Sequence, residues 1–220
     1  MNSWVIERTV VEHHITVPRT ARYHALGDAA TASEIWIVLH GYGHLARYFL
    51  RKFEGLEEGR LIVAPEGLSR FYLDDGHTRV GATWMTREDR ELEIADQLTY
   101  LDQLTEHLRA GSRADIRLNV LGFSQGVATA CRWAAIGRTA IPRLVLWGGT
   151  LPPDIDTNAL STRLSACRVD VVQGTLDTLV PPVPLQGETR WREAGVTFTR
   201  HTHPGGHELD NLMLSRLFNA

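Results

Sequence analysis

Cysteine is nearly absent. Cys131 and Cys167, two residues among 220, cannot make a disulfide framework, and a reducing, cytoplasmic setting is expected. Charge of one sign is also scarce: 23 Lys plus Arg face 26 Asp plus Glu, a net charge of −3. That balance excludes the strongly basic surface by which nucleic acid or anionic membrane would be bound. No apolar run approaches the roughly 20 residues of a bilayer span, so stable membrane insertion is not expected. Residues 1–10 show no basic stretch followed by an apolar core, and no secretory signal is read there. Repeats, low-complexity tracts and linkers are missing too. What is present suits one sizeable domain over 1–220, 43% hydrophobic and 22% charged. The oligomeric state is open, because Trp4, Trp36, Trp133, Trp147 and Trp191 suit a core or an interface equally.

Apolar runs alternate with helical patterns along the chain. Residues 5–17 and 21–26, broken at Pro18, read as an antiparallel strand pair at a sheet edge. Strand-like runs follow at 34–39, 60–64, 116–121, 143–147, 169–172 and 196–199. They lack a polar alternate face, as strands covered on both sides by helices do. Between them, Leu92, Ala95, Leu98, Leu101, Leu104 and Leu108 recur at three- and four-residue spacing, which predicts an amphipathic helix over 90–108. The expected architecture is a three-layer α/β sandwich, mostly parallel with an antiparallel N-terminal edge, its site at the carboxyl ends of the strands.

One of those ends carries Gly122-Phe123-Ser124-Gln125-Gly126, with a strand pattern before it and a helical pattern over 127–135 after it. The five-residue pattern alone arises by chance in on the order of one chain in ten of this length. Its flanks give it meaning. A serine on so tight a strand-to-helix turn is held strained with its hydroxyl raised above the sheet, and the helix N-terminus favours negative charge beside it.

A nucleophilic serine needs a base, the base an orienting carboxylate, and the tetrahedral oxyanion backbone donors. Asp177 is the best acid, in a loop just beyond the 169–172 strand. Asp154, Asp156, Asp170 and Asp210 compete, from a Pro-rich loop, a strand and a helix. For the base, His201, His203 and His207 follow the last strand. Gly205-Gly206 can turn His207 to the sheet top, whereas His201 falls near the strand and His203 is held extended by Pro204. The spacing of the three admits a metal site, but no carboxylate or cysteine ligand with a family spacing accompanies it, and no metal or cofactor is expected. The amides of Tyr42 and Gln125 are the expected oxyanion donors, Gly41 and Gly43 letting the backbone come close. His40 precedes the serine in the chain, and its expected task is to bond the loop backbone.

Leu39-His-Gly-Tyr-Gly43, Gly122-Phe-Ser-Gln-Gly126, Gly174-Thr-Leu-Asp-Thr-Leu-Val-Pro181 and Pro204-Gly-Gly-His-Glu208 together resemble the carboxylesterase/phospholipase family of α/β-hydrolases, which includes acyl-protein thioesterases. The resemblance covers nearly the whole chain. It implies an α/β-hydrolase fold with Ser124 as nucleophile, Asp177 as acid, His207 as base, and the amides of Tyr42 and Gln125 as oxyanion donors. It also implies a small-molecule ester or thioester as substrate. The expectation is a cofactor-free carboxylesterase for small to medium acyl chains, with thioesterase or lysophospholipase chemistry, or a non-catalytic binding protein on the same fold, as alternatives. Three features depart from the family pattern: His44 stands where aspartate is common, Val127 where glycine or alanine is common, and 66–90 differs from the thioesterases. That last stretch shows no regular period and is expected to form a loop over the site. Its Phe71, Tyr72, Trp84 and Met85 suit either an acyl-pocket wall or the packing of the loop onto the core.

Overall fold

The continuous apolar runs become strands buried on both faces, since a strand with no polar side must be covered twice. In the computed structural model, which describes residues 10–180 and 187–220, seven strands form one sheet. They are β1 (Tyr23–Leu26), β2 (Glu34–Leu39), β3 (Arg60–Pro65), β6 (Arg117–Phe123), β7 (Arg143–Trp147), β8 (Arg168–Gly174) and β9 (Phe198–His203), in spatial order β1-β3-β2-β6-β7-β8-β9. Every pairing is parallel except that of β1 with β3. The mostly parallel sheet with an antiparallel N-terminal edge is thus present.

The partner at that edge differs from expectation. β1 pairs with β3, Tyr23 opposite Pro65, and not with an earlier segment. Residues 10–17 form no strand; Val10, Val11, Ile15 and Val17 stay exposed, with no apolar surface to cover them. Residues 5–9, Trp4 and Pro181 lie outside the described residues. The last strand begins at Phe198 and runs to His203, so it carries two of the three clustered histidines.

Helices close both faces. On one side lie α2 (Arg90–Ala110), α3 (Gln125–Ile136), α4 (Thr157–Leu164) and α5 (Glu188–Glu193), through Leu98, Leu101, Val127, Cys131, Leu160 and Trp191. On the other lie α1 (Ala46–Leu50), a 3-10 turn (Arg51–Phe53) and α6 (Asn211–Phe218), through Phe49, Phe53, Leu214 and Phe218. Trp36, Trp133, Trp147 and Trp191 are all fully buried in these layers, which makes them core residues. Within 66–90 the backbone forms a two-stranded hairpin, β4 (Ser69–Tyr72) and β5 (Val80–Thr83), outside the main sheet. Among the described residues no helix is long and apolar enough to cross a membrane.

Glu66 anchors this hairpin. Its buried carboxylate accepts from Arg22 at 2.6 Å, from Arg70 at 2.6 Å and from the Ala46 amide at 3.2 Å. Burial pushes its pKa up, but the bonds from Arg70 and Arg22 outweigh that and hold it low. One carboxylate therefore ties together β1, the hairpin and the start of α1.

Candidate active site

The elbow is built where β6 passes into α3. Ser124 has φ 55° and ψ −118°, a strained conformation for a residue with a side chain. The crossing is so tight that a Cβ at Gly122 would lie 2.4 Å from the Gly126 carbonyl oxygen, and one at Gly126 would lie 2.3 Å from that of Leu39. Both glycines are therefore needed for close approach. The Ser124 amide donates to Trp147 O at 2.9 Å, which fixes the turn against β7.

Sheet register then places the neighbours. Leu39 of β2 lies opposite Gly122 of β6, so the loop after β2 runs beside the serine. A Cβ at Gly41 would stand 3.1 Å from Ser124 Cβ. Gly174 at the end of β8 lies opposite His203 of β9, which brings the two following loops together. Those loops deliver Asp177 and His207. His207 Nε2 is 2.9 Å from Ser124 Oγ, and His207 Nδ1 is 2.9 Å from Asp177 Oδ2. The Asp177 side chain is 1% exposed. Its Oδ1 accepts from the amides of Leu179 at 2.9 Å and Val180 at 3.2 Å. Burial pushes the Asp177 pKa up, yet the bonds from His207, Leu179 and Val180 outweigh it and keep the carboxyl below its usual range. The group stays ionised, oriented and facing one imidazole nitrogen.

Among the described residues, the amides of Tyr42 and Gln125 donate to no protein acceptor, although their neighbours Gly43, His44 and Val127 do. Gln125 is the first residue of α3, so its N–H has no intrahelical partner. Its side chain serves a different purpose. Nε2 donates to Met85 O at 2.9 Å, and Oε1 accepts from the Trp84 amide at 3.2 Å, fastening the elbow to the chain after β5.

His40 is buried and bonded at both ring nitrogens, Nδ1 donating to Gly41 O at 2.8 Å and Nε2 accepting from the Gly67 amide at 3.0 Å. Burial lowers its pKa to about 4, in keeping with a neutral ring that braces the loop. The other two clustered histidines go elsewhere. His201 Nε2 meets Asp170 Oδ1 at 2.9 Å, and His203 is buried against Trp147 with ring centroids 5.4 Å apart. The three rings do not converge. Among the described residues the one group of three converging metal-type ligands is Glu12, His14 and Asp89, all exposed. The competing aspartates are engaged as well: Asp154 by Arg132 and Arg90, Asp156 and Asp210 as N-caps, and Asp170 by His201 and Arg143.

The four proposed pocket residues are separated. Trp84 is 1% exposed, its indole N–H donates to His40 O at 2.8 Å, and its ring lies against that of His40, so it packs the loop onto the core. Met85 is half-buried, its carbonyl taken by Gln125 and its sulfur 3.7 Å from Arg132 Nη1. Phe71 meets the Tyr42 ring at 4.9 Å, at the edge of the loop after β2. Tyr72 is exposed and contacts His77.

Sequence reasoning missed Gly148 and Gly149. A Cβ at Gly148 would stand 3.4 Å from His207 Nδ1, and one at Gly149 would stand 2.5 Å from Val127 Cβ. Gly148 holds φ 57°, a conformation that favours glycine, and Gly149 leaves room for the elbow helix over the end of β7. It also explains Val127, whose bulk fills the space a side chain at 149 would need. The signal was a Gly-Gly directly after a buried strand.

No protein-family model matches the chain, and no curated protein matches it. Solved structures do. A carboxylesterase from Mesorhizobium loti superposes with a TM-score of 0.71 at 18% identity, over 90% of this chain and 94% of that one. Acyl-protein thioesterase 2 from Zea mays gives 0.67 at 20% identity, over 91% and 97%. A Bacillus cereus carboxylesterase gives 0.68 at 15% identity, over 90% and 92%. Likeness at such low identity is likeness of architecture, and the architecture of this chain is the α/β-hydrolase fold.

Proposed function

We propose that the chain is a serine hydrolase that cleaves carboxylic esters through an acyl-serine intermediate. The observation that carries this reading is the relay from Ser124 Oγ through His207 to Asp177, both links 2.9 Å, beside two unengaged amides. The carboxylesterases and the thioesterase of like architecture support it.

In this mechanism His207 Nε2 takes the Ser124 proton as Oγ attacks the ester carbonyl carbon. Asp177 holds the tautomer that leaves Nε2 free to accept and stabilises the imidazolium that forms. Negative charge on the former carbonyl oxygen falls to the amides of Tyr42 and Gln125, helped by the N-terminus of the twelve-residue α3. His207 returns the proton to the leaving oxygen, the C–O bond breaks, and the acyl group stays on Ser124. Water, deprotonated by the same imidazole, then releases the acid. A thioester would follow the same steps with sulfur leaving. Small to medium acyl chains are the proposed substrates.

The test is hydrolysis of p-nitrophenyl esters from acetate to palmitate by wild type and by Ser124→Ala. The expected result is turnover that peaks at short to medium length and falls at least about a thousandfold in the variant. Equal rates in both would take Ser124 out of the chemistry. A fluorophosphonate should label the wild type stoichiometrically and leave Ser124→Ala unlabelled; an unlabelled wild type would favour a binding protein.

A further inference from the structure

The relay accounts for the serine, but a groove next to it is left without a task. It encloses about 570 Å3, within the range of small-molecule sites. Tyr48 and Phe49 of α1 form one wall, and Leu73 and Val80 of the hairpin form the other. One end is linked to the proposed site through side chains that touch in series. Gly43 and His44 line it directly after Tyr42, and the His44 ring stacks on Phe123 at 6.0 Å. The Phe123 ring in turn lies 5.1 Å from that of His207.

The charge lining this groove is of one sign. Arg47, Lys52 and Arg79 line it, and no acidic residue does, in a chain whose net charge is −3. Most arginines elsewhere are matched, as Arg70 is to Glu66, Arg132 to Asp154 and Arg143 to Asp170. Among the described residues these three cations have no ion-pair partner within contact distance. Arg47 lies over the Tyr48 ring at 4.5 Å. Asp74, whose charge does act on Arg79, is bound to the Thr78 amide at 2.8 Å and its hydroxyl at 2.7 Å. Three cations with no ion-pair partner in contact focus a positive field over apolar walls, in a groove that reaches the proposed site by way of His44 and Phe123.

We infer that this groove seats an anionic group of the substrate, a carboxylate or phosphate several atoms from the scissile carbonyl, against Arg47, Lys52 and Arg79. The inference rests on the esterase reading above and narrows it to esters or thioesters that carry negative charge. The apolar walls would pack the chain between carbonyl and anion, and the cations would set its preferred length. The anion could belong to the acyl part or to the leaving part. The chemistry of recognition is the same for both.

Two matched pairs of esters separate these cases and test the inference. Mono-p-nitrophenyl adipate against p-nitrophenyl hexanoate places the charge on the acyl side. The hexanoyl esters of 4-hydroxybenzoate and of 4-hydroxybenzamide place it on the leaving side. The readout is the anionic-to-neutral ratio of kcat/KM in wild type, divided by the same ratio in the triple variant Arg47→Gln, Lys52→Gln, Arg79→Gln, so that intrinsic reactivity cancels. One pair should show a quotient of roughly ten at low ionic strength, falling as salt is added. Far-UV circular dichroism checks that the variant is folded, and Arg79→Lys should keep most of the preference. A quotient near one for both pairs, with brisk Ser124-dependent turnover of the neutral esters, would overturn the anion site and leave the esterase reading intact. No turnover of any ester would overturn both.

Discussion

Ser124 pays for its position with backbone strain, and that makes it separable from its chemistry. A side chain at φ 55° and ψ −118° costs on the order of 1–3 kcal/mol. Ser124→Ala keeps a Cβ and hence the strain, while Ser124→Gly removes it but loosens the unfolded chain. The glycine variant should therefore be more stable than the alanine variant by about 1 kcal/mol in urea denaturation, with both inactive. A glycine variant less stable than the alanine variant, by the roughly 0.4–1 kcal/mol of the unfolded-chain entropy, would mean that the elbow is relaxed. The orienting acid gives a second prediction. Asp177→Asn keeps the shape but can donate to Nδ1, favouring the wrong tautomer, and kcat should fall by roughly 10^3–10^4 with little change in KM. At this scale much was legible in the sequence. Ser124, Asp177 and His207 lie within hydrogen-bonding reach of one another because each follows a strand that could be read as such. Gly148 and Gly149 were not legible, since the reasons for them, a left-handed φ at the first and the close approach of α3 at the second, arise only in the assembled sheet. Between the two roles open to Trp84 the sequence could not choose, because an aromatic in an irregular stretch looks alike whether it faces a pocket or the core.

Elements meet the site through polar clamps, and these are where the fold can be loosened without touching the relay. Arg132 of α3, 7% exposed in its side chain, donates to Asp154 at 2.9 Å from both Nε and Nη2, and Arg90 of α2 adds another bond at 2.9 Å. Burial pushes the Asp154 pKa up, but its bonds with Arg132 and Arg90 prevail and carry it well below the usual range. A carboxyl so depressed stabilises the fold fully above its unfolded pKa, and loses that contribution as pH falls through the lower folded value. Asp154→Asn should thus cost about 1–2 kcal/mol near neutral pH, with the gap to wild type closing in strong acid. A pH-independent gap in denaturation midpoint would show that shape, not charge, holds α2 to α3. Gln125→Ala should act differently. Its amide survives, but the bonds to Trp84 and Met85 are lost, so kcat/KM should drop roughly tenfold while Ser124 still reacts with a fluorophosphonate. Sequence patterns located β2, β3, β6, β7 and β8 because buried parallel strands need continuous apolar runs. They failed over 10–17, where alternating valines and isoleucines have a strand's composition but no sheet to join. At β9 they placed a strand over 196–199 where it runs Phe198–His203, because Arg200, His201 and His203 are accommodated by Glu188, Asp170 and Trp147, partners distant in sequence.

At the scale of the whole molecule, the described residues form two hydrophobic layers that share one sheet. Trp84, Trp133 and Trp191 report on the layer of α2 to α5, and Trp36 and Trp147 on the layer of α1 and α6. Each layer is anchored to the sheet by side chains alternating along the same strands: Ile35, Ile37 and Leu39 of β2 face one side, Trp36 and Val38 the other. Neither layer can lose its helices without exposing one face of every strand to water. Such exposure would cost on the order of 25 cal/mol for each Å2 of apolar surface, enough over a seven-stranded face to take the other layer with it. Unfolding in urea should therefore be one transition, with tryptophan fluorescence, far-UV circular dichroism and loss of ester hydrolysis sharing a midpoint. Substitution should tell the layers apart without uncoupling them: Phe218→Ala, which removes a ring stacked on Trp36 at 4.0 Å, should lower that common midpoint by about 3–5 kcal/mol of stability while the curves stay superimposed. If the fluorescence of a Trp4→Phe, Trp36→Phe, Trp147→Phe variant, which sees only the α2 to α5 side, persisted beyond the loss of activity, the layers would be independent units and the relay would depend on the weaker one.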